Sequence, residues 1–66
     1  MAYKISGKWH ATFLYKGEHI GVTFYNRKTQ PAEFEFVSEL RKKRPGIDMS
    51  KVQLLEIREG WYYEKD

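Results

Sequence analysis

Residues 8–26, KWHATFLYKGEHIGVTFYN, run through two alternations of apolar and polar side chains around a central Lys16-Gly17. Successive side chains of an extended chain point to opposite sides, so a period of two marks a strand with one buried face. If Lys16 and Gly17 form the loop, Trp9 opposes Phe24, Ala11 opposes Val22 and Phe13 opposes Ile20, all on one face. A slip of one residue would set those three against Tyr25, Thr23 and Gly21 and divide the apolar set between both faces. The pattern therefore predicts a hairpin with a two-residue loop. On its opposite face it collects Lys8, His10, Thr12, Leu14 and Lys16 with His19, Gly21, Thr23, Tyr25 and Arg27. That face is polar and basic, as the solvated side of an antiparallel sheet ordinarily is.

Residues 29–44, TQPAEFEFVSELRKKR, mix two periods. Ala32, Phe34 and Phe36 alternate as in a strand, whereas Ala32, Phe36, Val37 and Leu40 share one side of a helix. End signals favour the helix. Pro31 suits a first turn, glutamates precede lysines and arginines as the helix dipole requires, and Pro45-Gly46 stops the chain. Phe34 then falls at the edge of the apolar stripe. Residues 51–57, KVQLLEI, have the β-branched and aliphatic content of a strand. Leu54 and Leu55 would point to opposite faces unless a bulge intervenes. Gly60 reads as a break, leaving Trp61, Tyr62 and Tyr63 as a short return strand or a docked tail.

The expected fold is thus α+β: an antiparallel sheet packed against one helix, in the order ββαβ(β), as a single domain over residues 1–66. Its core is drawn from Trp9, Phe13, Ile20, Val22, Phe24, Phe34, Phe36, Val37, Leu40, Val52, Leu54, Leu55, Ile57 and Trp61. A domain of this size buries only about 60% of its unfolded surface, so a dimer or partner could add stability. No cysteine occurs, which removes disulfides and Cys-based zinc sites and suits a reducing compartment. No run of about 20 apolar residues is present, so a cytoplasmic protein with no membrane partner is expected. Neither a phosphate-loop pattern nor a nucleophile beside a base can be found, and His10 and His19 lie about 13 Å apart along the predicted hairpin. The expectation is a non-enzymatic protein without metal or cofactor.

The net charge of +3 conceals a segmented layout. Residues 1–28 hold five cations against one glutamate, 29–40 hold three glutamates, 41–44 are Arg-Lys-Lys-Arg, and 45–66 hold three cations against five acids. Cations release counterions from phosphates, while hydrogen-bonding and aromatic side chains on a rigid sheet reach bases. The candidate nucleic-acid surface is therefore Lys8, His10, Thr12, Lys16, Thr23, Tyr25, Arg27 and Lys28, supported by Arg41, Lys42 and Arg44. Residues 41–44 turn about 100° apart around a helix, so part of that cluster complements the dipole.

GKWHATFLYKG followed by a basic strand and a helix resembles the N-terminal arm-binding domains of tyrosine-type integrases and the plant ethylene-response DNA-binding domain, over residues 7–44. The resemblance implies a sheet that enters the major groove, with His10, Thr12, Thr23, Tyr25 and Arg27 facing the bases. Those domains place three strands before one helix, whereas two precede it here. The competing expectation is a protein-interaction module or adaptor, as a single chain or a homodimer. It would use Trp61, Tyr62 and Tyr63, with Tyr3 and Tyr15, or an exposed strand edge.

Overall fold

The computed structural model describes residues 2–65, with side chains described from 5 to 63. Strand β1 (Ala2–Tyr15) pairs antiparallel with β2 (Glu18–Phe24) on one side and with β3 (Val52–Lys65) on the other, giving the sheet order β2-β1-β3. Helix α1 (Glu33–Lys43) and a short 3-10 turn at Met49–Lys51 connect β2 to β3. The chain leaves one edge of the sheet, crosses it through the helix and returns at the other edge. This is the ββαβ order that periodicity predicts.

The hairpin register is the predicted one, with Trp9 opposite Phe24, Ala11 opposite Val22 and Phe13 opposite Ile20. Lys16 and Gly17 both have positive φ, 50° and 81°, the backbone of a type I′ turn. That turn matches the twist of the paired strands, so it forms here although Lys must enter the left-handed region. Ala11, Phe13, Ile20 and Val22 then lie on one face, where Phe36 and Leu40 of α1 close over them. Phe24 meets Phe36 edge to face at 5.0 Å. Trp9, Val37, Ile47, Met49, Val52, Leu54 and Ile57 pack around this centre, and Pro31 is fully buried beside the helix start.

The helix is shorter than the segment 29–44 because Pro31 precedes it and Ala32 is its N-cap. Alanine has no acceptor to cap with; instead Glu35 turns back and accepts from the Ala32 N–H at 2.9 Å. At the far end the Arg44 N–H closes on Leu40 O at 2.8 Å, before Pro45 and Gly46.

Two bulges interrupt the β1–β3 ladder, the first of them the one that Leu54 beside Leu55 admits. Between Thr12 and Phe13 the β1–β3 register shifts, because Leu55 is an extra residue on β3. This bulge lets Leu54 and Ile57 both reach the core and leaves Leu55 exposed. Between Ser6 and Lys8 the extra residue is Gly7, at φ 94°. A Cβ there would stand 2.8 Å from Arg27 O, so only glycine admits the returning chain, whose Arg27 N–H donates to Gly7 O at 3.0 Å. Gly60 is therefore not a break. β3 continues through it to pair Trp61 with Ser6 and Tyr62 with Ile5, and no fourth strand exists among the described residues. Fourteen-residue strands at ~3.3 Å per residue account for the long dimension of a molecule measuring 43 × 19 × 18 Å. Among the expected core residues, Phe34, Leu55 and Trp61 are exposed instead.

No helix among the described residues is long and apolar enough to cross a membrane.

Candidate nucleic-acid interface

Alternation sends every second residue of the sheet away from the helix, and no element among the described residues covers that face. On it Lys8, His10, Thr12 and Leu14 of β1 stand beside Thr23, Gly21 and His19 of β2 on one flank, and beside Gly60, Arg58, Glu56 and Gln53 of β3 on the other. His10 is held on two sides. Its Nδ1 lies 2.8 Å from the Thr23 hydroxyl, and its ring covers Gly21 so closely that a Cβ there would meet Cε1 at 2.7 Å. Gly21 therefore makes room for an imidazole lying flat on the sheet.

Next to His10 the aromatics begin. Tyr25 is 55% exposed, and its ring meets Tyr62 edge to face at 5.0 Å, with Lys8 Nζ 5.9 Å from the ring centre. A concavity of about 600 Å³ opens between them, lined by Lys8, His10, Thr23, Tyr25, Arg58, Gly60 and Trp61, with Glu59 at its side. Gly60 adds no side chain to it, and a Cβ there would meet nothing within 4 Å. The hairpin face and the C-terminal aromatics, separate in sequence, form one surface. Arg58, 69% exposed at the side chain, joins it and is bridged to Glu56 at 3.1 Å.

Other predicted site residues go elsewhere. Arg27 is not on the open face. β2 ends at Phe24, Asn26 takes φ 59°, and the chain turns toward the helix, so that Arg27 bonds Glu35 at 2.8 Å and lies 5.3 Å from the Phe24 ring centre. The Trp9 indole N–H fixes this turn by donating to Arg27 O at 2.9 Å. Lys16 leans over the Tyr15 ring at 5.3 Å. Tyr15 packs against the core, with its hydroxyl accepting from the Asp48 N–H at 3.4 Å, so it is not an interface aromatic. Lys28 borders a small recess with Ser6, Asn26 and Glu59. Thr12 lies farther along the open face, in a shallow dip with His19, Leu55 and Glu56.

The basic cluster at the helix end divides. Arg44 spans to Glu18 with two bonds, 3.1 and 3.3 Å, and Lys43 donates to Gly21 O on the β2 edge at 2.9 Å. These two fasten the helix to the sheet. Lys42 pairs with Glu39 at 3.4 Å, and Arg41 borders a groove with Phe34, Val37 and Ile47 on the side remote from the open face. Tyr63 is 67% exposed and follows Tyr62 on the β3 ribbon, while Tyr3's side chain lies outside the described residues.

The resolved ionisation shifts belong to the fastenings. The Arg27 side chain, with the Ala32 N–H, holds the Glu35 carboxyl below its ordinary value; the Ser50 hydroxyl and N–H do the same for Asp48; Glu18 pushes Arg44 up. Among the described residues no group of three or more His, Asp or Glu is placed to hold a metal ion.

Against known protein families, curated proteins and solved structures, the chain gives no match. The third strand comes after the helix and pairs on the far side of β1, so the element order also departs from the three-strands-then-helix domains named above.

Proposed function

We propose that this domain binds nucleic acid through the open face of its sheet, as a small accessory protein without catalysis or cofactor of its own. The observation that carries the proposal is the single concavity in which Lys8 and Arg58, the hydrogen-bonding groups of His10 and Thr23, and the rings of Tyr25 and Trp61 converge, with Tyr62 packed against Tyr25. Cations there meet phosphates, and rings and polar edges meet bases. Of the predicted surface, Lys8, His10, Thr23 and Tyr25 line the concavity, Thr12 lies farther along the same face, Lys16, Arg27, Lys28, Arg41, Lys42 and Arg44 lie away from it, and Arg58 joins it. A cytoplasmic setting belongs to the same proposal and rests on the absence of cysteine.

The test is a titration of isotope-labelled protein with oligonucleotides at low and near-physiological salt, followed by amide shifts. Expected are shifts centred on residues 8–10, 23–25 and 58–62 that weaken with salt. Gly60→Val provides the control, because a Cβ there meets nothing within 4 Å and the added side chain takes up space in the concavity; its amide spectrum checks that the fold is kept. Shifts confined to the helix, or undiminished binding by Gly60→Val, would sink the proposal.

A protein partner is the second reading, favoured by the exposure of Trp61 and Tyr63 on β3, an edge strand. In that case loss of Tyr62 or Tyr63 abolishes capture of the partner with the fold intact, and the oligonucleotide titration stays silent.

A further inference from the structure

The composition of the open face discriminates between kinds of nucleic acid. Resting on the nucleic-acid reading, we propose that the ligand is a single strand of DNA or RNA whose bases stack in the concavity beside Tyr25, and not a duplex.

The first argument is electrostatic. A protein that grips duplex DNA neutralises phosphates on both walls of a groove, commonly through about 6–10 contacts, because the duplex carries a charge every ~1.7 Å. Among the described residues, the cations lining the concavity are Lys8 and Arg58, and Arg58 is shared with Glu56. Opposite Thr12 the flank formed by β3 bears Glu56, which would repel a phosphate wall. On the β2 flank, Lys43 and Arg44 are bonded to Gly21 O and Glu18, and Arg27 is drawn to Glu35. Two cations suit a short stretch of flexible backbone better than two rigid ones.

The second argument is the surplus of rings. Tyr25 and Trp61 line the concavity, and both are more than half exposed. Tyr62 braces Tyr25 edge to face, with the two planes at 83°, and the ring so held keeps more than half of its exposure. Bases in a duplex are stacked on each other and offer only their edges. Unpaired bases offer whole faces, and stacking them on aromatic rings is the commonest sequence-tolerant way to hold a single strand. Gly60 lines the concavity with Lys8 and the rings, and a Cβ there would meet nothing within 4 Å, which leaves open space for a base whose phosphate meets Lys8. His10 and Thr23, bonded to each other at 2.8 Å, present polar edges at the inner wall.

The experiment measures binding of the full chain to fluorescent dT12, rU12 and a mixed-sequence 12-bp duplex over a range of salt. Single strands should bind at least about tenfold more tightly than the duplex, with a log–log salt slope near −1.4, about −0.7 for each of two phosphate contacts. Tyr25→Ala should weaken single-strand binding about tenfold and leave the slope unchanged; Lys8→Ala should lower the slope by about 0.7. Binding by dT12 alone or rU12 alone also supports the inference and names the sugar preferred. Duplex binding equal to or tighter than that of both single strands overturns it while leaving the nucleic-acid reading standing. Silence toward all three ligands, with the protein folded by its amide spectrum, overturns both and assigns the face to a protein partner. Tyr25→Ala binding like the parent overturns the stacking.

Discussion

The same three strands make two unlike faces, and the difference lies in what each does with charge. On the covered face, Ala11, Phe13, Phe36 and Leu40 are all but sealed from solvent, and the cations nearest to them act as fastenings: Arg27 to Glu35, Arg44 to Glu18, Lys43 to the β2 backbone. On the open face, Lys8 and Arg58 stand among tyrosines and a tryptophan, with no helix for them to hold. Half of the basic run most conspicuous in sequence, Lys43 and Arg44, is therefore structural, and inconspicuous cations line the candidate site. A charge run at a helix end has a dipole and a neighbouring strand to satisfy before any ligand.

Breaking each face in turn should give the largest contrast. Phe36→Ala removes a fully buried ring that also meets Phe24, and such truncations cost about 3–5 kcal/mol. At roughly 0.05–0.15 kcal/mol per residue, a chain of this length has about 3–10 kcal/mol in all. Phe36→Ala should therefore be largely unfolded, or close to it, in a urea titration. Tyr25→Ala and Phe34→Ala remove rings that are already exposed and should stay within about 1 kcal/mol of the parent. A loss for Tyr25→Ala comparable to that of Phe36→Ala would mean that the open face is part of the core.

Two glycines of the long ribbon sharpen the contrast at smaller scale. Gly7→Ala forces a Cβ to 2.8 Å from Arg27 O at φ 94°, and should cost about 1–3 kcal/mol through strain and the displaced turn. Gly60→Ala meets nothing within 4 Å and should stabilise by about 0.5–1 kcal/mol, since glycine weakens a strand interior. Equal effects at the two sites in urea titrations would show that the Gly7 bulge is not what admits the Arg27 turn.

What was legible in the sequence follows from the range of each signal. Period two and a two-residue loop are local, so the hairpin register could be read residue by residue from Trp9 to Phe24. The helix was legible from its ends, although Phe34 beside Phe36 blurred the period. The pairing of β1 with β3 was not legible, because the bulges at Gly7 and Leu55 each shift the register by one. Without them Arg58 could not be assigned to a face, nor Tyr62 brought to Tyr25. The misplacement of Arg27 has a nearer cause. Strand alternation carried past Phe24 to Arg27 runs through Asn26, whose φ of 59° ends it. Asparagine is among the residues that most readily enter that region, and this was the available signal.

The smallest effect concerns a fastening and tests whether the two faces are independent. Arg27 and the Ala32 N–H lower the Glu35 pKa from its ordinary value of 4.5, so the charged carboxylate is favoured by folding. A depressed carboxyl contributes its stability above the unfolded value and loses it as the pH falls through the folded one. Glu35→Gln should therefore be less stable than the parent at neutral pH, and the gap between their urea midpoints should close as the pH is taken below 4.5 and through the depressed value. A gap that persists at full size in acid would show that Glu35 acts by packing alone. Glu35 lies on the covered side, so the same variant should bind oligonucleotide as the parent does at neutral pH. A change in affinity without a change in fold would show that the Arg27 turn, through its bond to Gly7 O, transmits the state of the helix to Lys8 one residue away. In that case the charges of the covered face would set the shape of the open one.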